Sequence, residues 1–300
     1  MAALPLFIFA PLSFDPERQY FMGAKTNNES VAACQDAKRR LISEDGGPIL
    51  VAAWESAMFL HFCVPPETLR PEVPRPFELE LHDGAACVSL VAVTMSRFRP
   101  CRRISPAWFF RHISQQRFLN FRTYVRYSDE PGAFFLWGWL SQPFRIGLPS
   151  SLFGLPYSFA SVEYQHQVRK NIFSGNVSEA AGSGRFLFRA DIPAAFHPCS
   201  SGSLDEFALE RYTGFYYHRA KGRLFRTWHP LWRQVPVQPQ IQDMSLISER
   251  FPWFTKAQLA GANFSPGFSE VSLGSPHRLA KRPSPTGQGR RILSAFYELP

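Results

Sequence analysis

From Gly84 to Ser128 this chain has no Asp and no Glu, yet the same stretch holds Arg97, Arg99, Arg102, Arg103, Arg111, Arg117, Arg122 and Arg126. A field of one sign favours an anionic partner. Lysine is scarce as well, 6 against 27 arginines. A GC-rich genome produces that bias as readily as nucleic-acid binding does, so it excludes nothing alone. The five cysteines (34, 63, 87, 101, 199) form no CxxC and no Cys/His cluster with zinc spacing, which sets a zinc site aside. We expect no metal and no cofactor. There is no P-loop, no Rossmann glycine pattern and no Ser/His/Asp order. No apolar run approaches the ~20 residues of a spanning helix. The apolar opening, MAALPLFIFAPLSF, lacks a basic region and is broken by Pro5 and Pro11. It reads as a lead-in, with a signal peptide as the minority reading. The odd cysteine count argues for a reducing compartment, so a cytoplasmic location is expected.

What is present is a β-rich composition, with 29 Phe and 26 Pro at 45% hydrophobic residues, ample for a core with many turns. The net charge of +9 is uneven. Past Glu270 come Arg278, Lys281, Arg282, Arg290 and Arg291, with no acid until Glu298.

The pivotal stretch is FLNFRTYVRY, residues 118–127. In a strand Leu119, Phe121, Val125 and Tyr127 share one face, and Asn120, Arg122, Tyr124 and Arg126 the other. The second face is rich in donors, as a strand lining a polar cavity for an anion would be. An Arg-rich solvated face fits the same pattern.

Thr26-Asn-Asn-Glu29 is a capping box that predicts a helix near 29–43. Strands are predicted at 57–64, 77–82 and 85–96, with Asp83-Gly84 as a hairpin turn. A basic aromatic loop covers 100–117. Further strands fall at 118–127, 133–140, 161–168 and 185–192, with a flexible loop at 175–184. Ser203-Leu-Asp-Glu206 is a second capping box. Strands at 215–218 and 223–228 flank Lys221-Gly222, and His229-Pro-Leu-Trp232 closes the regular part. Beyond Gly261 the composition turns to Gly, Ser, Pro and Arg, too polar to offset its ordering entropy. The expected organisation is an N-terminal extension with one helix (1–44), one β-dominated α+β domain (45–255) and a poorly packed tail (256–300).

Several motifs carry a resemblance: WESAMFLHFCVPPETLRPEVP, the Asp83-Gly84 hairpin, NFRTYV, the Pro131-Gly132 turn, GLPYSFA, GSLDEFALERY and HPLW. Their order, over Trp54 to Trp232, resembles that of the YqjF-like bacterial family, which is similar in fold to acetoacetate decarboxylase. The resemblance implies a closed or cone-shaped antiparallel sheet around an internal cavity, with a few short helices. Acetoacetate decarboxylase carries a G-x-P-K-K-x-A turn whose lysine forms a Schiff base. Gly154-Leu-Pro-Tyr-Ser-Phe-Ala160 looks like that turn with Tyr157 and Ser158 in place of the lysines. An imine needs a primary amine, so decarboxylation by that route is not expected.

Asn120, Arg122, Tyr124 and Tyr157 are the candidate ligand-binding residues, and Tyr157 and Glu210 the catalytic candidates. An Arg fork can hold a carboxylate, but a structural pair with Glu210 or Glu163 is as good a reading of Arg122. Tyr157 is equally at home as a core tyrosine. A helix-end Glu beside Arg is more often a salt bridge than a general acid or base. His61 reads as a satisfied core histidine, and His229 as a structural one. Two functions compete. One is a cavity for a small carboxylate or keto compound, as a binder or as a lyase or isomerase without a Schiff base. The other is binding of nucleic acid or an anionic surface through Arg97, Arg99, Arg102 and Arg103, interleaved with Phe98, Trp108, Phe109 and Phe110. An oligomer is compatible with either.

Overall fold

The computed structural model describes residues 28–101, 115–141, 154–179, 182–218 and 221–279. Helix α1 (Asn28–Ser43) comes first, followed by β1 (Leu50–Val64), the short α2 (Pro66–Leu69), β2 (Glu78–Leu79), β3 (Leu81–His82) and β4 (Ala85–Pro100). Next are β5 (Gln115–Tyr127), β6 (Glu130–Leu140), β7 (Tyr157–Phe159), β8 (Ser161–Gln167), β9 (Ile172–Ser178), β10 (Arg185–Asp191) and β11 (His197–Pro198). The chain continues through α3 (Leu204–Leu209), β12 (Thr213–His218), β13 (Lys221–Trp228), β14 (Arg233–Pro236), β15 (Gln240–Asp243), α4 (Ser245–Arg250), β16 (Gln258–Leu273) and β17 (His277–Arg278). The fold is α+β and strand-dominated, with few and short helices.

Seven strands pair in the order β16-β1-β4-β5-β6-β12-β13, and β13 pairs back onto β16, so the main sheet closes into a ring. Its pairings are antiparallel except β6–β12. The small strand β7 also joins β6 in parallel. A second sheet, β15-β10-β9-β8, packs on one outer wall.

Both faces of the ring strands are covered, as their near-continuous apolar sequence requires. On β1, Met58, Leu60, Phe62 and Val64 point outward to Phe173, Phe186 and Phe188 of the second sheet. Ala57 and Phe59 point inward, toward Val91, Phe118, Trp232 and the α3 residues Leu204, Ala208 and Leu209. Helix α3 therefore lies on the inner side of the ring. It starts where the capping box placed it, with Ser203 Oγ accepting from the Glu206 amide.

Three expectations are corrected. Gly175 to Ser178 belong to β9, paired with β8 and β10 on its two sides. The regular part does not close at Trp232. The tail reading fails for the residues described: Gln258–Leu273 is a 16-residue strand of the ring wall, paired along most of β1. Its Pro266-Gly267 lies within that strand and keeps the register with β1, so it is not a linker. Gly267 pairs with Glu55 at φ +90°, and a Cβ there would lie 1.9 Å from the Trp54 carbonyl oxygen. The irregularity nearby is in β1, which shifts register against β4 between Glu55 and Met58, and proline and glycine are tolerated where strands are irregular. Residues 280–300, with Lys281, Arg282, Arg290 and Arg291, lie outside the described residues, as does the opening segment.

Candidate functional site

The inner face of the ring encloses a cavity of about 140 Å³. Its wall is largely aromatic, with Trp54, Phe59, Phe118, Phe135, Phe225 and Trp232 among the lining residues. The polar members include Asn120, Arg122, Tyr157, Arg211 and His229. Alternation along β5 delivers Phe118, Asn120 and Arg122 to this space, while Leu119 and Phe121 go to the outer core.

Tyr157 reaches Asn120 because of a missing side chain between them. On β6, Gly138 pairs with Asn120 on one side and Tyr157 on the other. The Tyr157 ring lies across the glycine, and its hydroxyl donates to Asn120 Oδ1 at 2.7 Å. A Cβ on Gly138 would stand 1.9 Å from Tyr157 Cε1. Gly138→Ala should therefore swing Tyr157 away and break this hydrogen bond, at a cost of about 1–3 kcal/mol for overpacking. Denaturant melts of Gly138→Ala beside Tyr157→Phe check this; an unchanged melt in Gly138→Ala would mean that the ring has room to move. Burial pushes the Tyr157 phenol well above its ordinary range, so it stays protonated and acts as a donor.

Arg122 sits against the C-terminal end of α3, where helix carbonyls lack internal partners. Its Nη2 donates to the Ala208 carbonyl at 2.9 Å. Arg211 donates likewise to Phe207 O, and its other arm pairs with Glu80 at 2.7 Å. Arg122 Nε is buried without a hydrogen-bond partner. Its guanidinium stands 5.8 Å from the ring centroids of Phe59 and Tyr124. No carboxylate among the described residues pairs with it.

The proposed acid partners of Arg122 are corrected. Glu210 accepts from Tyr212 Oη at 2.6 Å and from the Trp232 amide at 2.8 Å. It faces a separate cleft between α1 and the ring, with Arg40, Glu44, Glu130 and Arg226. Burial raises its carboxyl above the usual range, but it is not in the cavity with Arg122. Glu163 is exposed on β8.

Tyr124 shares the face of Arg122 but not the cavity lining. It is fully buried and heads a chain of polar groups through the ring. Asn263 Nδ2 donates to Gln234 Oε1 at 2.7 Å, so Asn263 Oδ1 takes the Nε2–H of His61 at 3.1 Å. That tautomer leaves His61 Nδ1 to accept from Ser89 Oγ at 2.7 Å, and Ser89 to accept from Tyr124 Oη at 2.6 Å. Gln234 Nε2 then donates to Asp205 Oδ2 at 2.6 Å. Every bond points toward the Asp205 carboxylate, which satisfies the buried polar groups in sequence. Burial, with the nearby charge of Arg122, pulls the His61 pKa down to about 3, which fits its neutral role.

Sequence reasoning missed the aromatic wall, and it read His229, which lines the cavity, as structural. His229 is sandwiched between Tyr212, 4.7 Å between centroids, and Phe268, 5.4 Å away. Phe268 lies in the segment read as tail, and Trp54 precedes the predicted start of β1. Of the anionic-partner arginines, Arg97 stands 3.4 Å from Glu55 and Arg99 pairs with Glu270. Arg102, Arg103, Trp108, Phe109 and Phe110 lie outside the described residues.

A closed ring of strands around an aromatic cavity, with a second sheet on one wall, is the acetoacetate decarboxylase-like fold. The chain matches the DUF2071 family, described as an uncharacterized conserved protein, over residues 51–267, and belongs to it. The uncharacterized protein YqjF of Bacillus subtilis (strain 168) is 28% identical over 192 residues, 59% of this chain and 71% of that protein. An acetoacetate decarboxylase-like enzyme from Sphingomonas wittichii RW1 superposes with a TM-score of 0.53 at 14% identity, over 77% of this chain and 93% of that one. The enduracididine biosynthesis enzyme MppR, in complex with pyruvate, gives 0.56 at 14% identity over 78% and 91%. No helix among the described residues is long and apolar enough to cross a membrane.

Proposed function

We propose that the ring cavity takes up a small carboxylate or keto compound, with Arg122 meeting its carboxylate and Asn120 and Tyr157 shaping the site beside it. Any lyase or isomerase chemistry there runs without an imine. The observation that carries this reading is Arg122: a guanidinium in an aromatic enclosure, with no acid partner among the described residues and an unpartnered Nε. Leaving such a group uncompensated is costly, and a ligand carboxylate would supply the missing acceptor. Two further points support the reading. The described lining contains no lysine, and a protein of this fold binds pyruvate. Size limits the ligand, since an engineered apolar cavity of about 150 Å³ in another protein holds one benzene ring.

Calorimetric titration with acetate, pyruvate and benzoate tests this. At least one should bind, and Arg122→Met should weaken it about 10- to 100-fold, the worth of a charge-assisted hydrogen bond of about 1.5–3 kcal/mol. Equal affinity in Arg122→Met would remove the arginine from the site. Borohydride added with pyruvate should leave the protein mass unchanged, whereas a reduced adduct on any lysine would overturn the imine-free reading.

A further inference from the structure

Two of the free cysteines face each other across the ring wall. Cys63 on β1 and Cys87 on β4 are directly opposed in the antiparallel register. Their Sγ atoms are 3.9 Å apart. Opposed residues in such a pair have Cα atoms about 4.5–5.5 Å apart, inside the range of about 4.4–6.8 Å that a disulfide spans. Rotation of the two side chains can close the sulfurs without moving either strand. We propose that Cys63 and Cys87 form a thiol–disulfide site, oxidised reversibly by a small-molecule disulfide. This is independent of any ligand in the cavity.

The two thiols differ in ways that assign their roles. Cys63 is half-buried and Cys87 is buried, so an oxidant meets Cys63 first. The contact between them also splits their acidities. The hydrogen bond from Cys87 lowers the pKa of Cys63, and holding that proton raises Cys87, with burial adding to the rise. The thiolate is the nucleophile in exchange. Cys63 thiolate attacks one sulfur of glutathione disulfide, forming a mixed disulfide and expelling one glutathione thiolate. Cys87 attacks the Cys63 sulfur, and its proton goes to the second glutathione thiolate as that leaves. Two protein thiols are oxidised and one glutathione disulfide is reduced to two thiols. Metal binding is the weaker reading of the pair, because no third His, Cys, Asp or Glu joins it among the described residues.

The experiment is oxidation of the full, folded chain with glutathione disulfide, followed by alkylation of free thiols and peptide mapping without reductant. The expected result is loss of two thiols, a single peptide joining Cys63 to Cys87, and recovery of both thiols with dithiothreitol. Cys87→Ser should stop at glutathione on Cys63. The proposal is overturned if wild type stops at the mixed disulfide, if only Cys34 or Cys101 reacts, or if all five thiols of the chain stay free.

Discussion

A chain cut after Ser265 should not fold. The deletion takes the second half of β16, where Gly267, Phe268, Val271, Ser272 and Leu273 pair with residues from Leu50 to Glu55 of β1. It also removes Leu273 and Ser272 from their pairing with Thr227 and Trp228, the contact that closes the ring. Val271 is fully buried and Leu273 nearly so, and each such side chain contributes about 1.5–3 kcal/mol. Phe268, which covers His229 and Trp232 at 5.4 and 4.5 Å, goes with them. The first half of β1 and the end of β13 are left as unpaired edges. A domain of this size is stable by only about 5–15 kcal/mol, and the combined loss exceeds what that margin absorbs. Circular dichroism during urea titration is the check. The expected trace has no cooperative transition, while a chain ending at Leu279 keeps every one of these pairings and should show one. A cooperative transition in the shorter chain would mean that the ring does not depend on its last strand.

That strand also marks where sequence reading failed, and the reason is local. Composition argues against order where glycine, serine, proline and arginine accumulate, and residues 261–278 fit that profile. Tertiary pairing overrides it. Pro266 falls opposite Ser56, which itself sits at φ +52° where β1 shifts register against β4, so the residues that look like breakers face an irregular point of the partner strand. In the same way Gly175 looked like loop because no propensity scale counts a partner strand on each side. What was legible rested on strict periodicity or on a cap. Residues 118–127 alternated cleanly enough to send Asn120 and Arg122 to one space and Leu119 and Phe121 to another. Ser203 and Thr26 announced α3 and α1 to within a few residues. The site was only half legible. Asn120, Arg122 and Tyr157 meet as the alternation and the Gly154 turn suggested. Glu210 did not join them, because its oxygens are taken by Tyr212 and the Trp232 amide, a contact between segments no spacing rule connects. Gly138, which lets Tyr157 cross β6, could not be singled out without knowing the register on both of its sides.

Stability should fall on mild acidification, because two imidazoles are buried in the neutral form. His61 and His229 are 1% and 2% exposed. Burial lowers their pKa values to about 3 and about 4, from an ordinary 6.5, and the charge of Arg122 adds to the depression in both. The unfolded chain takes up both protons as the pH drops through 6.5. The folded chain does not until near 3 or 4. Between those limits the unfolded state binds more protons, so stability rises with pH and is lost on going down. At pH 5 each imidazole should account for a loss of about 2 kcal/mol relative to pH 8. Asp205 and Glu210 act in the opposite sense, because burial raises both carboxyls and the folded state then gains protons ahead of the unfolded one. The histidine effect is therefore cleanest just below pH 6.5. Urea midpoints at pH 7.5, 6.5 and 5.5 should decrease in that order. His229→Phe, which keeps a ring between Tyr212 and Phe268 but cannot titrate, should flatten about half of the slope. Midpoints that do not move between pH 7.5 and 5.5 would show that the imidazoles titrate in the folded chain as they do in the unfolded one.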